Sequence, residues 1–177
     1  MRTLREQFPS ATIVADMKVM DAGRVETESA AKAGADVVHV LGLASDSTIA
    51  ECIEAASRYD ARICVDLVGF PSGDAMTERA CEVEEMGADA VCVHTPIDQQ
   101  MQGEVPLEDL KAVASRTNLQ VCVAGGINSE TAPKAIDGGA NVVIVGGAIN
   151  KAPDAAEAAR TIKKAMSEGV SIATDAY

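Results

Sequence analysis

Large aromatic side chains are almost missing from this chain: two Tyr, two Phe and no Trp among 177 residues. A core without big rings has to be filled by Ala, Val, Ile, Leu and Met, and such small and branched residues let helices approach a sheet closely. That favours layered α/β packing over a β-sandwich. Basic residues are scarce as well, with 15 Lys and Arg against 27 Asp and Glu and a net charge of −12. Nucleic acid and anionic membrane surfaces would both be repelled, so neither is expected as a partner. A phosphorylated ligand stays possible, because local amide dipoles bind phosphate even within an acidic protein. No apolar run approaches the roughly 20 residues of a membrane span, and no basic stretch precedes an apolar one, so a cytoplasmic location is expected. CxxC spacing is absent too. The five cysteines, Cys52, Cys64, Cys81, Cys92 and Cys122, are scattered, three of them alternating with Val in ICVDL, VCVHT and VCVAG. They read as small buried hydrophobes in a reducing compartment.

What is present is a repeat. An apolar content of 47% suffices for one buried core, and the length suits one domain. Six β-branched runs recur: Ala11–Ala15, Val37–Leu41, Ala61–Leu67, Ala90–Val93, Leu119–Val123 and Val142–Val145. Between and after them lie helical patterns rich in Ala, Glu and Lys: Arg24–Ala33, Asp46–Arg58, Gly73–Met86, Leu107–Ser115, Ser129–Asp137 and Asp154–Ser167. AKAGADVVHV, EEMGADAVCV and DGGANVVIV echo one another about 52 residues apart, each placing Gly-Ala-Asp/Asn between a helix and a strand. The Gly suits a left-handed helix cap that turns the chain back into the sheet.

Strands that are continuously apolar are buried on both faces, the mark of a parallel sheet. Polar residues cluster at the C-terminal ends of several strands (Asp16, Asp66, His94, Gly125, Gly146), as the reactive face of a barrel requires. The expected fold is therefore α/β, a (β/α)8 TIM-type barrel. Such a barrel needs eight units and roughly 200 residues or more, so this reading leaves about 50 residues, the first two strands, upstream of Met1. The segment Met1–Pro9 reads as the end of the helix before the first strand present. One incomplete barrel domain is expected over residues 1–168, with 169–177 as a tail that does not resemble a further barrel unit and can lead into a neighbouring domain.

The run VADMKVMD ends a strand with two acids and a lysine. Asp16 and Lys18, two apart, share one face of an extended segment, and Asp21 follows in the loop. A lysine between carboxylates stays protonated and can stabilise an enediolate or deliver a proton, while a strand-end Asp can ligate a divalent metal. His94, closing AVCVH, suits a general acid or base near neutrality. His39 lies deeper in its strand and reads as a packed, hydrogen-bonded core residue, with an inward functional role as the alternative. VAGGIN and IVGGAI place Gly125, Gly126, Gly146 and Gly147 after consecutive strands, where backbone amides can point at phosphate oxygens. Asp66 can either shape the polar floor or hold Lys18 by an ion pair; the sequence does not separate these.

VADMKVMDAG resembles the Asp-x-Lys-x-x-Asp signature of the orotidine 5′-monophosphate decarboxylase suprafamily. With HVLGLASDSTI, HTPIDQQ and the later Gly103, VAGGIN and IVGGAIN, the likeness extends from about Phe8 to Met166. It is nearer to the 3-hexulose-6-phosphate synthase branch than to the 3-keto-L-gulonate-6-phosphate decarboxylase branch. Ile97 and Gly147 stand where the decarboxylases carry arginines. The resemblance implies a homodimeric, Mg²⁺-dependent lyase that joins formaldehyde to ribulose 5-phosphate, or runs in reverse. In it Asp16 ligates the metal, Lys18 stands beside the enediolate, Asp21 reaches across the dimer interface, His94 handles protons and the four glycines grip phosphate. It also implies an aspartate and a metal-ligating glutamate from the two strands before Met1. Rival readings are a decarboxylase of a phosphorylated keto-acid sugar and a non-catalytic phosphate-binding domain.

Overall fold

The computed structural model describes residues 1–100 and 106–172; Gly103 lies outside them. After helix α1 (Arg2–Gln7), strands and helices alternate: β1 (Val14–Val19), α2 (Gly23–Lys32), β2 (Val37–Leu41), α3 (Asp46–Ser57), β3 (Arg62–Asp66), α4 (Asp74–Glu85) and β4 (Ala90–His94). There follow α5 (Ile97–Gln100), α6 (Leu107–Arg116), β5 (Gln120–Ala124), α7 (Ala132–Asp137), β6 (Val142–Ile144), α8 (Gly147–Asn150) and α9 (Ala155–Glu168). The six strands pair in parallel and in sequence order. All six expected strands and six main helices are present. The first strand begins and ends later than its apolar run, so Asp16 and Lys18 lie within it.

Alternation along each strand divides the core in two. Val38, Val40, Ile63, Val65, Val91, Val93, Val121 and Val123 face outward into the helical layer and join the main core. Cys64, Ala90, Cys92, Cys122 and Ala124 face inward as a second cluster. An inner cavity of about 300 Å³ takes a wall residue from every strand: Val14, Val37, Cys64, Ala90, Cys122 and Val142. A flat sheet cannot do this. The sheet is rolled into an open barrel of six βα units, with β1 and β6 as its two rims. Four of the five cysteines are buried as expected, but Cys81, on α4, is only half-buried and turns its Sγ toward the Arg116 carbonyl.

The Gly-Ala-Asp/Asn echo has a structural meaning beyond the helix cap. Gly34, Gly87 and Gly139 all have left-handed φ near +100° (98°, 95° and 101°), as the cap requires. The residue two positions later then grips the entry of the previous strand from both sides. The Asp36 carboxylate accepts from Ile13 N at 2.6 Å, that of Asp89 from Ile63 N at 2.8 Å, and the Asn141 amide oxygen from Val121 N at 2.8 Å. In return their own N–H groups donate to the carbonyls of Ile13, Ile63 and Val121. These clamps hold the base of alternate strand pairs and leave the opposite, C-terminal rim open for chemistry. Beyond α9, Ser129 Oγ donates to Ile172 O at 2.6 Å and Ile172 N to Ser129 O at 3.3 Å, so the start of the tail is seated beside α7.

Candidate active site

Strands β1 to β4 bring Asp16, Lys18, His39, Asp66 and His94 together, Asp66 and His94 as the last residues of β3 and β4. In β1 the pairing slips: Ala15 sits opposite Val38 and Val19 opposite Val40, so Asp16, Met17 and Lys18 together face the single residue His39. Lys18 takes a left-handed φ of 49° to allow this bulge, a conformation that costs a non-glycine residue of the order of 1 kcal/mol and is often kept at functional sites. The two-residue spacing of a regular strand is therefore not what joins Asp16 and Lys18. The bulge re-aims them, and Lys18 Nζ donates to Asp16 Oδ1 at 2.7 Å.

Asp66 is the hub. Only 1% exposed, it places Oδ2 3.1 Å from Lys18 Nζ and accepts from Val68 N through Oδ1 at 2.9 Å. His94 Nδ1 lies 3.1 and 3.0 Å from its two oxygens. Burial pushes the Asp66 carboxyl up, but the His94 hydrogen bond, the Val68 amide and the Lys18 charge outweigh it and hold the group ionised, below the usual carboxylate range. Burial likewise pushes the Lys18 amine down, and its hydrogen bond to Asp16 with the charge of Asp66 lifts it above its ordinary value. Both open readings of Asp66 hold: it is the polar floor and it anchors Lys18. Since an ionised carboxylate only accepts, His94 Nδ1 is the donor in this contact.

His39 is buried, 4% exposed, as expected of a core residue. Its expected hydrogen bonding fails at Nδ1, which has no partner among the described residues and stands 3.6 Å from Asp16 Oδ1. Burial holds its imidazole below the ordinary histidine range, hence neutral. Donor atoms of Asp16, His39 and Asp66 lie within 4.8 Å of one another. Two carboxylates and an orphaned ring nitrogen form a donor set that fits a divalent cation.

Asp16 and His94 also line one end of a cleft of about 580 Å³ whose other end is made by Gly125, Gly126, Gly146, Gly147 and Lys151. Gly125 is dictated twice: its φ is 103°, and a Cβ there would meet the Thr95 carbonyl at 2.5 Å. Among the described residues, Gly146 instead fronts open space and Gly147 meets only Lys151, whose Cε is 3.9 Å from where a Gly147 Cβ would be. The Gly126 amide donates to Gln100 Oε1 at 2.8 Å. Lys151, four residues past Gly147 at the end of the short helix α8, adds a cation to the glycine end and was missed in the sequence. Its signal was a lone lysine one helical turn beyond Gly-Gly. Asp21 stands apart from the cluster: it is exposed and accepts from Ala22 N at 2.7 Å.

A rolled parallel sheet with a carboxylate–lysine–histidine centre at its C-terminal rim and a glycine-lined cleft beside it defines a (β/α)-barrel enzyme. The chain belongs to the orotidine 5′-phosphate decarboxylase / HUMPS family, whose model matches residues 1–162. It is 36% identical over 170 residues to a 3-hexulose-6-phosphate synthase of Bacillus subtilis, covering 96% of this chain and 80% of that one. The crystal structure of 3-hexulose-6-phosphate synthase from Salmonella typhimurium superposes with a TM-score of 0.89 at 37% identity, over 95% of this chain and 79% of the other. KGPDC from Streptococcus mutans follows at a TM-score of 0.84 and 26% identity, over 94% and 78%. The chain is an enzyme, a carbon–carbon lyase similar to 3-hexulose-6-phosphate synthase.

Proposed function

We propose that the chain joins formaldehyde to carbon 1 of ribulose 5-phosphate to give a hexulose 6-phosphate, or catalyses the reverse cleavage. The observation that carries this is the Lys18 ammonium held between Asp16 and Asp66, next to a cleft lined by Asp16 and His94 at one end and by glycines and Lys151 at the other. In the forward direction the ketose gives up a proton from carbon 1, and the electron pair left behind is shared with the carbonyl oxygen as an enediolate. Carbon 1 then attacks the formaldehyde carbon, and the new alkoxide takes up a proton. His94, its ring fixed through Nδ1 by Asp66, is the group suited to move these protons through Nε2. Lys18, kept charged by two acids, neutralises negative charge as it develops on the ketose oxygens. The open cradle at Gly146 and Gly147, with the Lys151 ammonium, accepts the phosphate. A divalent cation, Mg²⁺ being the expectation, would be held by Asp16 and would supply positive charge for those same oxygens.

The working form in this proposal is a homodimer. Asp21 is exposed and lies among the exposed apolar side chains of Met17, Met20 and Val25, an arrangement that supports its serving the site of a second copy. Ile97 and Gly147 favour the synthase over a decarboxylase of a phosphorylated keto-acid sugar.

Formaldehyde-dependent consumption of ribulose 5-phosphate, measured beside carbon dioxide release from a phosphorylated keto acid, tests the reading. Carbon dioxide release without formaldehyde consumption would replace it with the decarboxylase.

A further inference from the structure

We propose that His39 is a metal ligand, so that Asp16, His39 and Asp66 form a mixed oxygen and nitrogen site that prefers Zn²⁺ or Co²⁺ to Mg²⁺. The inference builds on the cation site of the proposed function and changes its ligands and its metal.

The first observation is the orphaned nitrogen. A ring nitrogen buried without a partner forfeits its hydrogen bond to water and gains nothing in exchange. His39 Nδ1 is in this position, on a residue 4% exposed. It faces a carboxylate rather than apolar surface, which is where a further charged occupant would be held.

The second observation is the spacing. Nδ1 and Asp16 Oδ1 are 3.6 Å apart, too far to share a hydrogen. Two donors bound tetrahedrally to one ion at roughly 2.0–2.1 Å would lie roughly 3.3 Å apart, so only a small closing movement is needed. Asp66 supplies a third donor atom within 4.8 Å of both. The three side chains come from neighbouring strands, two in regular register and one on the β1 bulge, so the ligands are set by the sheet and not by loops. Lys18 shares Asp16 Oδ1 and Asp66 Oδ2 with this site. A carboxylate has two oxygens with several acceptor positions, so an ion and the ammonium can both be served by it.

The third consideration is donor chemistry. Mg²⁺ takes oxygen ligands almost exclusively and keeps several waters, whereas imidazole suits Zn²⁺, Co²⁺ and their neighbours. An imidazole in the set thus favours the transition metal.

The chain has two histidines, His39 and His94, which makes a direct test simple. Metal-free protein carrying nitrogen-labelled histidine is titrated with Zn²⁺ and with Mg²⁺ while the ring nitrogens are followed by NMR. In parallel, Co²⁺ is titrated with detection of its visible ligand-field bands. Zn²⁺ should shift His39 Nδ1 to a coordinated position at concentrations at least about tenfold below those at which Mg²⁺ binds. The His39→Asn variant, checked for folding by circular dichroism, should lose about tenfold or more in Co²⁺ affinity, with Mg²⁺ affinity unchanged. Zn²⁺ binding that moves His94 and leaves His39 unmoved, or Zn²⁺ binding no tighter than Mg²⁺, overturns the inference and leaves the proposed reaction standing. A coordinated His39 in a protein that does not consume formaldehyde upholds the inference and removes the proposed reaction instead.

Discussion

Lys18 Nζ lies 3.1 Å from Asp66 Oδ2, an ion pair that spans from β1 to β3 across the intervening strand β2. It exists because β1 bulges where Asp16, Met17 and Lys18 oppose His39, and because the sheet is rolled, so that the ends of alternate strands lean toward one another. The Lys18 side chain is about a third exposed and Asp66 almost fully buried, so one end of the pair meets solvent while the other is locked into the barrel wall.

Replacing Lys18 by Ala in the active enzyme should reduce exchange of the carbon-1 proton of ribulose 5-phosphate with solvent by about a thousandfold. Lys18→Arg should not restore it, because a planar guanidinium does not fit the compact position between Asp16 and Asp66. Exchange into deuterated solvent followed by NMR gives the readout. Exchange persisting in Lys18→Ala would remove the lysine from the mechanism.

The clamp at Asp36 should be visible as an acid-sensitive part of stability. Its carboxyl is held below the usual carboxylate range by the Ile13 backbone N–H, against a burial effect, with Arg5 assisting. A carboxyl depressed in the folded state contributes stability that is fully present above its unfolded pKa and is lost as pH falls through the lower folded value. Asp36→Ala should therefore destabilise by about 1–2 kcal/mol at neutral pH. The difference from the parent should shrink below about pH 4, where the unfolded carboxyl begins to protonate. Urea unfolding of both proteins across that range measures it; a pH-independent difference would contradict the assignment.

The four glycines should separate into two kinds. Gly125→Ala combines a left-handed φ with a Cβ that meets the Thr95 carbonyl, so it should cost about 1–3 kcal/mol and lower the melting temperature. Gly147→Ala meets nothing nearer than Lys151 Cε among the described residues, so it should melt normally and raise the KM of the phosphorylated ligand by filling the cradle. Thermal melts and steady-state kinetics on both variants decide this, and equal melting losses would refute the distinction.

Lys151→Ala should raise the KM of the sugar phosphate by about tenfold with little change in kcat, as expected for loss of a charge that holds substrate and transition state equally. The same variant should show a weaker dependence of KM on ionic strength than its parent. A fall in kcat with KM unchanged would move Lys151 from phosphate binding to chemistry.

Much of this was open to reading in one dimension. Strand and helix alternation, the parallel sheet and the six βα units follow from local apolar patterns, and so do the three helix-capping glycines at 34, 87 and 139, because each depends on a few neighbouring residues. Asp16, Lys18, His94 and the paired glycines were visible for the same reason: a strand end is a local feature, and barrels place their chemistry there. The roles of Asp66, His39 and Lys151 were not. Asp66 is 48 residues from Lys18, and only the roll of the sheet brings them within reach of one ion pair. Whether the Nδ1 of His39 finds a partner depends on where a bulge two strand positions long carries the Asp16 carboxylate, a displacement of a few ångströms that no periodicity records. The amino-acid sequence by itself determined which groups line the rim of the barrel. Their distances, and with them the choice between packing residue, anchor and metal ligand, were decided by curvature and register, which are properties of the whole sheet.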